Sequence, residues 1–181
     1  LSFTILGAVA IRGCRFLDIR PREHVLIIGA GIIGICAAQL AASNLAQPVL
    51  LDKNPDRVHL ARNMGLQAFA PDEKDFEKKL SECATEGFDA LYDSAGHAPT
   101  TDAMVQKMKS GSRLLLQAQY FDKASCALDL DAIKVREMTV KTTVGVDALD
   151  SHQAMEDIRT RRLQIAPLIT HRMNAPSDFF K

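Results

Sequence analysis

The sequence predicts an α/β fold, a parallel sheet doubly wound by helices. Three observations carry the expectation. Apolar runs of strand length alternate with helical segments in units of roughly thirty residues. Those runs lack the polar alternation of a strand with one wet face, as strands buried on both faces should. Gly29, Gly31 and Gly34 stand where the first run meets the helix after it. Crossovers between parallel strands are right-handed, so a six-stranded sheet of this kind takes the order 3-2-1-4-5-6.

Each element follows in turn. The opening SFTILGAVAIRG reads as an amphipathic helix, which Pro21 closes. HVLIIG (24–29) is a continuous apolar strand. After a glycine turn, IIGICAAQLAASN (32–44) is a helix, apolar nearly all round and rich in alanine, suited to close packing on a sheet. Pro48 precedes VLLD (49–52), a second buried strand. Pro55 opens an amphipathic helix, DRVHLARNMG (56–65), which Gly65 ends as a C-cap. QAFA (67–70) is a short strand, and DEKDFEKKLSECA (72–84) a charged surface helix. FDALYDSAG (88–96) is a strand running into a loop, TTDAMVQKM (100–108) a helix, and SRLLLQA (112–118) a strand. CALDL (126–130) and DAIKVRE (131–137) lead to the strand MTVKTTVGV (138–146). The helix DSHQAMEDIRTRR (150–162) and PLITHRM (167–173) follow.

A chain of 181 residues, 47% hydrophobic, suffices for one core, so residues 1–181 are read as a single domain. Lys+Arg and Asp+Glu both number 22 and form no basic block, which argues against a nucleic-acid partner. Cys14, Cys36, Cys83 and Cys126 are far apart and lack metal-ligand spacing. They suggest buried thiols in a reducing, cytoplasmic setting, with no metal. No apolar stretch is long enough to span a bilayer, and no targeting segment is visible. The chain starts at Leu1 inside a helix and stops at SDFFK, which reads as a piece of a longer protein.

The glycines form G-x-G-x-x-G. In the Rossmann arrangement the first permits the tight turn, the second lets a pyrophosphate approach the backbone, and the third lets helix and strand lie close. The helix that starts at Ile32 and Ile33 would offer free N–H groups to phosphates. A tight turn without ligand is the competing reading. Asp52 ends the next strand, 18 residues after Gly34, where a carboxylate accepts hydrogen bonds from the adenosine ribose of NAD. An N-cap for the helix at Pro55 is its competing role. A carboxylate there opposes the 2′-phosphate of NADP, a repulsion that Lys53 and Arg57 would soften. Further contacts are expected from the loops at strand ends: Ser94, Ala95 and Gly96, then Gln117, Ala118 and Gln119.

VLIIGAGIIGICAAQLA, VLLDKNPDRVHLARNMG, FDALYDSAG, GSRLLLQA and PLITHR together resemble the nucleotide-binding domain of the medium-chain, alcohol dehydrogenase-like dehydrogenases. The resemblance covers nearly the whole chain. It implies hydride transfer between a secondary alcohol or ketone and NAD, with Asp52 at the adenosine ribose and Arg57 aiding that end. FTILGAVA, YDSAG, LLLQAQYFDK and LITHRMNAPSDF are also similar to the bacteriochlorophyllide a dehydrogenases, which would oxidise the hydroxyethyl group of a chlorin pigment precursor to acetyl. Sorbitol-type, threonine-type and enoyl-reductase relatives stay open.

The family's catalytic domain lies mostly N-terminal to such a region, so no catalytic residue is expected here. His24, His59, His97, His152 and His171 make no recognisable metal site. An NAD(H)-sensing regulatory domain is the alternative function. The strand 138–146 should be outermost, with Lys141 as the only charge to discourage pairing. The resembling family commonly dimerises through this edge, and a homodimer built on residues 126–146 is expected.

Overall fold

The computed structural model describes residues 2–121 and 127–169. The elements are α1 (Ser2–Leu17), β1 (His24–Ile28), α2 (Ile32–Ser43), β2 (Gln47–Leu51), α3 (Pro55–Asn63), β3 (Gln67–Phe69) and α4 (Phe76–Cys83). There follow β4 (Phe88–Asp93), α5 (Ala98–Val105), β5 (Met108–Leu116), α6 (Leu130–Val135), β6 (Thr139–Thr142), α7 (Ala148–Arg159) and a short 3₁₀ turn, Ala166–Leu168. All strand pairs are parallel and the order is β3-β2-β1-β4-β5-β6, as the sequence predicts. The winding reverses between β1 and β4, and the crevice at their carboxyl ends is where such sheets bind ligands.

β1 alternates its side chains between two apolar layers. Val25 and Ile27 face one layer, with Cys14, Leu17, Ile35, Ala37, Leu50 and Tyr92. Leu26 and Ile28 face the other, with Leu51, Phe76, Leu80, Leu91 and Leu114. This is why β1 reads as an unbroken apolar run. The small residues of α2 let it lie against the sheet, with Gly34, Ile35, Cys36, Ala37, Ala38, Leu40 and Ala41 buried. Burial pushes the Cys14 and Cys36 thiols up to about 12, in keeping with inert packing roles. Cys126 lies outside the described residues.

Several boundaries differ from the sequence reading. Pro48 stands inside β2 rather than before it. Gln47 donates its N–H to the O of Glu23, just before β1, at 2.8 Å, so the next residue faces the β3 side, where pairing begins only at Val49. A missing N–H there costs no ladder bond. α4 starts at Phe76, because Asp75 takes a left-handed conformation (φ 62°) that interrupts the run from 72. Met108 opens β5 instead of ending a helix. It sits beside Phe88 of β4, and Phe88 N–H donates to Lys107 O at 3.0 Å. β6 covers only Thr139–Thr142 of the expected 138–146. Within 126–130, residue 126 lies outside the described residues and Leu130 starts α6.

α1 lies against α2 and α7. Arg12 and Arg15 both ion-pair with Asp147 and Asp150 at 2.9–3.1 Å. The Asp150 N–H and then the Arg15 guanidinium bring the Asp147 carboxyl down to about 2. Lys141 Nζ donates to Phe16 O at 2.8 Å. That corrects its expected role: the amine caps α1 and does not guard the sheet edge. Among the described residues no helix is long and apolar enough to cross a membrane.

Candidate functional site

Gly29 and Gly31 connect β1 to α2, Gly34 lies in the first turn of α2, and each meets a different environment. Gly29 has φ 99°, and a Cβ there would lie 2.8 Å from Ser94 Oγ. At Gly34 a Cβ would lie 1.8 Å from Gly29 O. At Gly31 nothing lies within 4 Å, and the backbone is extended (φ −79°, ψ −172°). Two of the glycines are therefore required by the protein's own packing. The third faces open space.

That space is a cleft of about 620 Å³ over the carboxyl ends of β1, β2 and β4, lined by Gly29, Gly31, Asp52, Lys53, Arg57 and Ser94 among others. Ala95 and Gly96 complete its wall beside β4. A smaller cleft of about 370 Å³ adjoins it across Gly31, Arg57 and Ser94. Its lining includes Ile32, Ile33 and Gly34, with Leu6 of α1 and Leu168 of the 3₁₀ turn. Gly31 is the N-cap of α2 and supplies no side-chain cap, and no acidic residue occupies the first turn. The first N–H groups of α2 are thus left to an outside acceptor, at the positive end of the helix dipole. The chemistry of this corner is that of an anion cradle.

Asp52 is nearly buried, with 8% exposure. Its Oδ2 accepts from Ala30 N–H at 2.8 Å and its Oδ1 from Asn54 N–H at 2.8 Å. Arg57 approaches Oδ2 at 3.5 Å. Asp52 does not cap α3, because Asn54 takes that place and accepts from Asp56 and Arg57 N–H. The carboxylate instead staples the glycine turn to the end of β2. Its two oxygens offer about four acceptor positions, so acceptor capacity remains toward the cleft.

Ser94 donates its hydroxyl to Ile28 O at 2.8 Å, pinning the β4 loop to β1. Gln117 is turned elsewhere. Its Nε2 donates to Val9 O at 2.7 Å and its Oε1 accepts from Tyr92 Oη, so the side chain fastens α1 to the sheet. Neither Gln117 nor Ala118 lines either cleft. His97 stands at the N-cap position of α5 without a side-chain cap bond, lines the larger cleft, and pairs through Nδ1 with Thr100 Oγ1 at 2.8 Å.

Sequence reasoning passed over Asp93. It has no solvent exposure, and the loops after β4 and β5 both hang on it. Ala95 and Gly96 N–H donate to its Oδ1, and Gln117 and Ala118 N–H donate to its main-chain oxygen. An acidic residue followed by Ser-Ala-Gly at the end of an apolar strand is an Asx-turn signature, and that signal was legible. Among the described residues no group of three or more His, Cys, Asp or Glu side chains could hold a metal ion.

The fold and sequence have known counterparts. A family model described as zinc-binding dehydrogenase matches residues 33–160. L-threonine 3-dehydrogenase of Vibrio cholerae is 33% identical over 162 residues, covering 88% of this chain and 46% of that protein. Among solved structures, 2R,3R-butanediol dehydrogenase of Bacillus subtilis superimposes with a TM-score of 0.81 at 16% identity, over 92% of this chain and 48% of that one. A protein described as a short chain alcohol dehydrogenase from Escherichia coli, complexed with cofactor NADH, gives 0.79 at 16% identity, over 92% and 49%. The chain spans about half the length of the curated relatives it matches, 46% in the threonine dehydrogenase.

Proposed function

From the premise that the chain belongs to the zinc-binding dehydrogenase family, we propose that it is the NAD-binding part of an enzyme oxidising a secondary alcohol or reducing a ketone. The observation that carries the reading is Gly31: alone in the motif, it has room for a Cβ that the fold leaves empty. A pyrophosphate seated there meets the bare N–H groups of Ile32, Ile33 and Gly34. Asp52 receives the adenosine ribose, with Lys53 and Arg57 at the rim. Gly29, Ser94, Ala95 and Gly96 form the wall on the β4 side, while Gln117 and Ala118, which line neither cleft, tie the end of β5 to Asp93. When bound, NAD supplies the hydride acceptor, while the protein positions it and excludes water. Substrate chemistry is assigned to the part of such proteins that this chain does not span. The family's name implies zinc, but the described residues do not fit a zinc site.

Titration with NADH and NADPH tests the reading. NADH should bind and NADPH should bind more weakly, because the buried Asp52 carboxylate would face a 2′-phosphate. A hydrogen bond to a charged acceptor contributes about 1.5–3 kcal/mol. Asp52→Ala should therefore weaken NADH about ten- to a hundredfold by calorimetry. Equal affinity in both proteins would remove Asp52 from the site. The narrower substrate reading is the hydroxyethyl group of a chlorin pigment precursor. It requires the full-length protein to reduce NAD in the presence of a hydroxyethyl chlorin, and turnover of simple alcohols alone would exclude it.

A homodimer through β6 belongs to the same proposal. Val140 is 43% exposed on this outermost strand, and Lys141 is occupied at Phe16. Two such edges, paired about a two-fold axis, would join two sheets into one. Light scattering should give a dimer for the chain, and Val140→Pro should dissociate it. A monomer at micromolar concentration would place any contact elsewhere.

A further inference from the structure

The segment after α7 runs back along α2 as a strap and ends at the smaller cleft. Arg162 grips the carboxyl end of that helix: its Nε donates to Ser43 Oγ and its Nη2 to Asn44 Oδ1, both at 2.8 Å. α2 has no basic residue in its own last turn, so this guanidinium supplies the cation that the negative end of the helix dipole favours. Its Nη1 lies 3.4 Å from the buried carboxylate of Asp157 in the last turn of α7. Next along the chain, Gln164 pairs with Gln39 in the middle of α2. The Gln164 N–H donates to Gln39 Oε1 at 2.7 Å, and Gln39 Nε2 donates to Gln164 O at 3.4 Å. Leu163, Ile165 and Leu168 are buried in the same apolar layer as Ile35. Leu168 then stands with Ile32, Ile33 and Gly34 in the wall of the smaller cleft.

Residues 162, 164 and 168 therefore meet α2 in reverse order, at its end, its middle and its start. Arg162, Gln164 and Gln39 line neither cleft. What they place at the cleft is Leu168, at the end of a 3₁₀ turn closed by its own N–H to Ile165 O at 2.9 Å. The consequence rests on the reading of the cleft as an NAD site. An apolar side chain beside the first turn of α2 keeps water from the N–H groups there, and hydrogen bonds to an anion strengthen as water leaves. We propose that Leu168 is a further cofactor-binding residue, an apolar wall against the bound dinucleotide, and that Gln39 and Arg162 are positioning residues that hold it in place through the strap.

Calorimetry with NADH tests this. Leu168→Ala should weaken binding about tenfold by uncovering part of a leucine-sized apolar contact. Gln39→Leu and Arg162→Leu should each weaken it about threefold by loosening the strap. Gln39→Glu keeps the acceptor for the Gln164 N–H and should stay within about twofold of wild type. Once Leu168 is truncated, the strap has nothing left to position, so adding Gln39→Leu to Leu168→Ala should weaken binding no further. A residue that only stabilises the fold would lower Tm and leave NADH affinity intact. Wild-type affinity in Leu168→Ala, or a further loss of about threefold in the double variant, overturns the inference.

A second measurement needs no variant and covers the case in which Leu168→Ala fails to fold. Hydrogen exchange is followed in the 181-residue chain with and without saturating NADH. The Leu163 and Leu168 amides, both hydrogen-bonded within the segment, should slow about tenfold or more. The Lys79 amide of α4, a helix packed on the other apolar layer, should slow less. Equal slowing at both places, or none in the strap, overturns the inference on the native protein. If the chain binds no NADH, the NAD reading fails and takes this inference with it. If it binds NADH and the strap does not respond, only the inference fails.

Discussion

Gly34→Ala is expected to cost about 3 kcal/mol or more of stability, seen as a fall in Tm of about 6–12 °C for a chain of this size. Two effects oppose each other. Alanine in the interior of a helix is worth about 1 kcal/mol over glycine. Against that gain stands a Cβ placed 1.8 Å from Gly29 O and 3.0 Å from Ser94 Oγ. The first neighbour is main chain, in a turn held by Gly29 N–H to Leu51 O at 2.7 Å and by Ala30 N–H to Asp52. It can retreat only if α2 lifts off β1, which opens the layer that holds Ile27, Ile35 and Ala37. The clash therefore wins. Thermal unfolding followed by circular dichroism checks it, and a Tm within a degree or so of wild type would mean that the helix moves more freely than this packing allows.

Gly31→Val should do the reverse: keep the fold and abolish dinucleotide binding. The extended backbone at Gly31 suits any residue, and no atom lies near the new Cβ. Valine is a poorer N-cap than glycine, and the restricted unfolded chain offsets that by about 0.4–1 kcal/mol, so stability should stay within about 1 kcal/mol of wild type. The valine fills the space where a pyrophosphate would meet the N–H groups of α2, and NADH affinity should drop at least about a hundredfold. Unfolding and calorimetry on the same sample decide the matter. A folded variant that binds like wild type would make the glycine loop a turn and nothing more. The two substitutions lie three residues apart in one motif, so their opposite outcomes test separately what the fold needs and what the ligand needs.

The sequence by itself determined the frame. Apolar runs too continuous for a wet face required buried parallel strands, and right-handed crossovers then left one leading order, which the sheet has. The motif glycines and Asp52 were legible because spacing along a β-α-β unit decides which residues reach the carboxyl ends of the strands. Local rules could also have found the Asn54 cap and the Asp93 turn, but the sequence reading offered Asp52 as the cap and passed over Asp93 within an apolar-looking strand.

Only the tertiary structure decided where side chains at those ends point. Gln117 is at the expected strand end, yet its amide is taken by Val9 O, 108 positions away in sequence. Lys141 sits on the outer strand, yet its amine caps α1. Met108 continues a helical pattern locally, yet pairing beside Phe88 draws it into β5. In each case a polar or backbone group brought close by the fold outbids the local preference. A buried donor or acceptor left without a partner costs about 1–3 kcal/mol, while local propensities rarely exceed about 1 kcal/mol per residue. Periodicity and motif spacing fix which residues share one end of the sheet. The partner each of them satisfies depends on contacts between segments far apart in the chain.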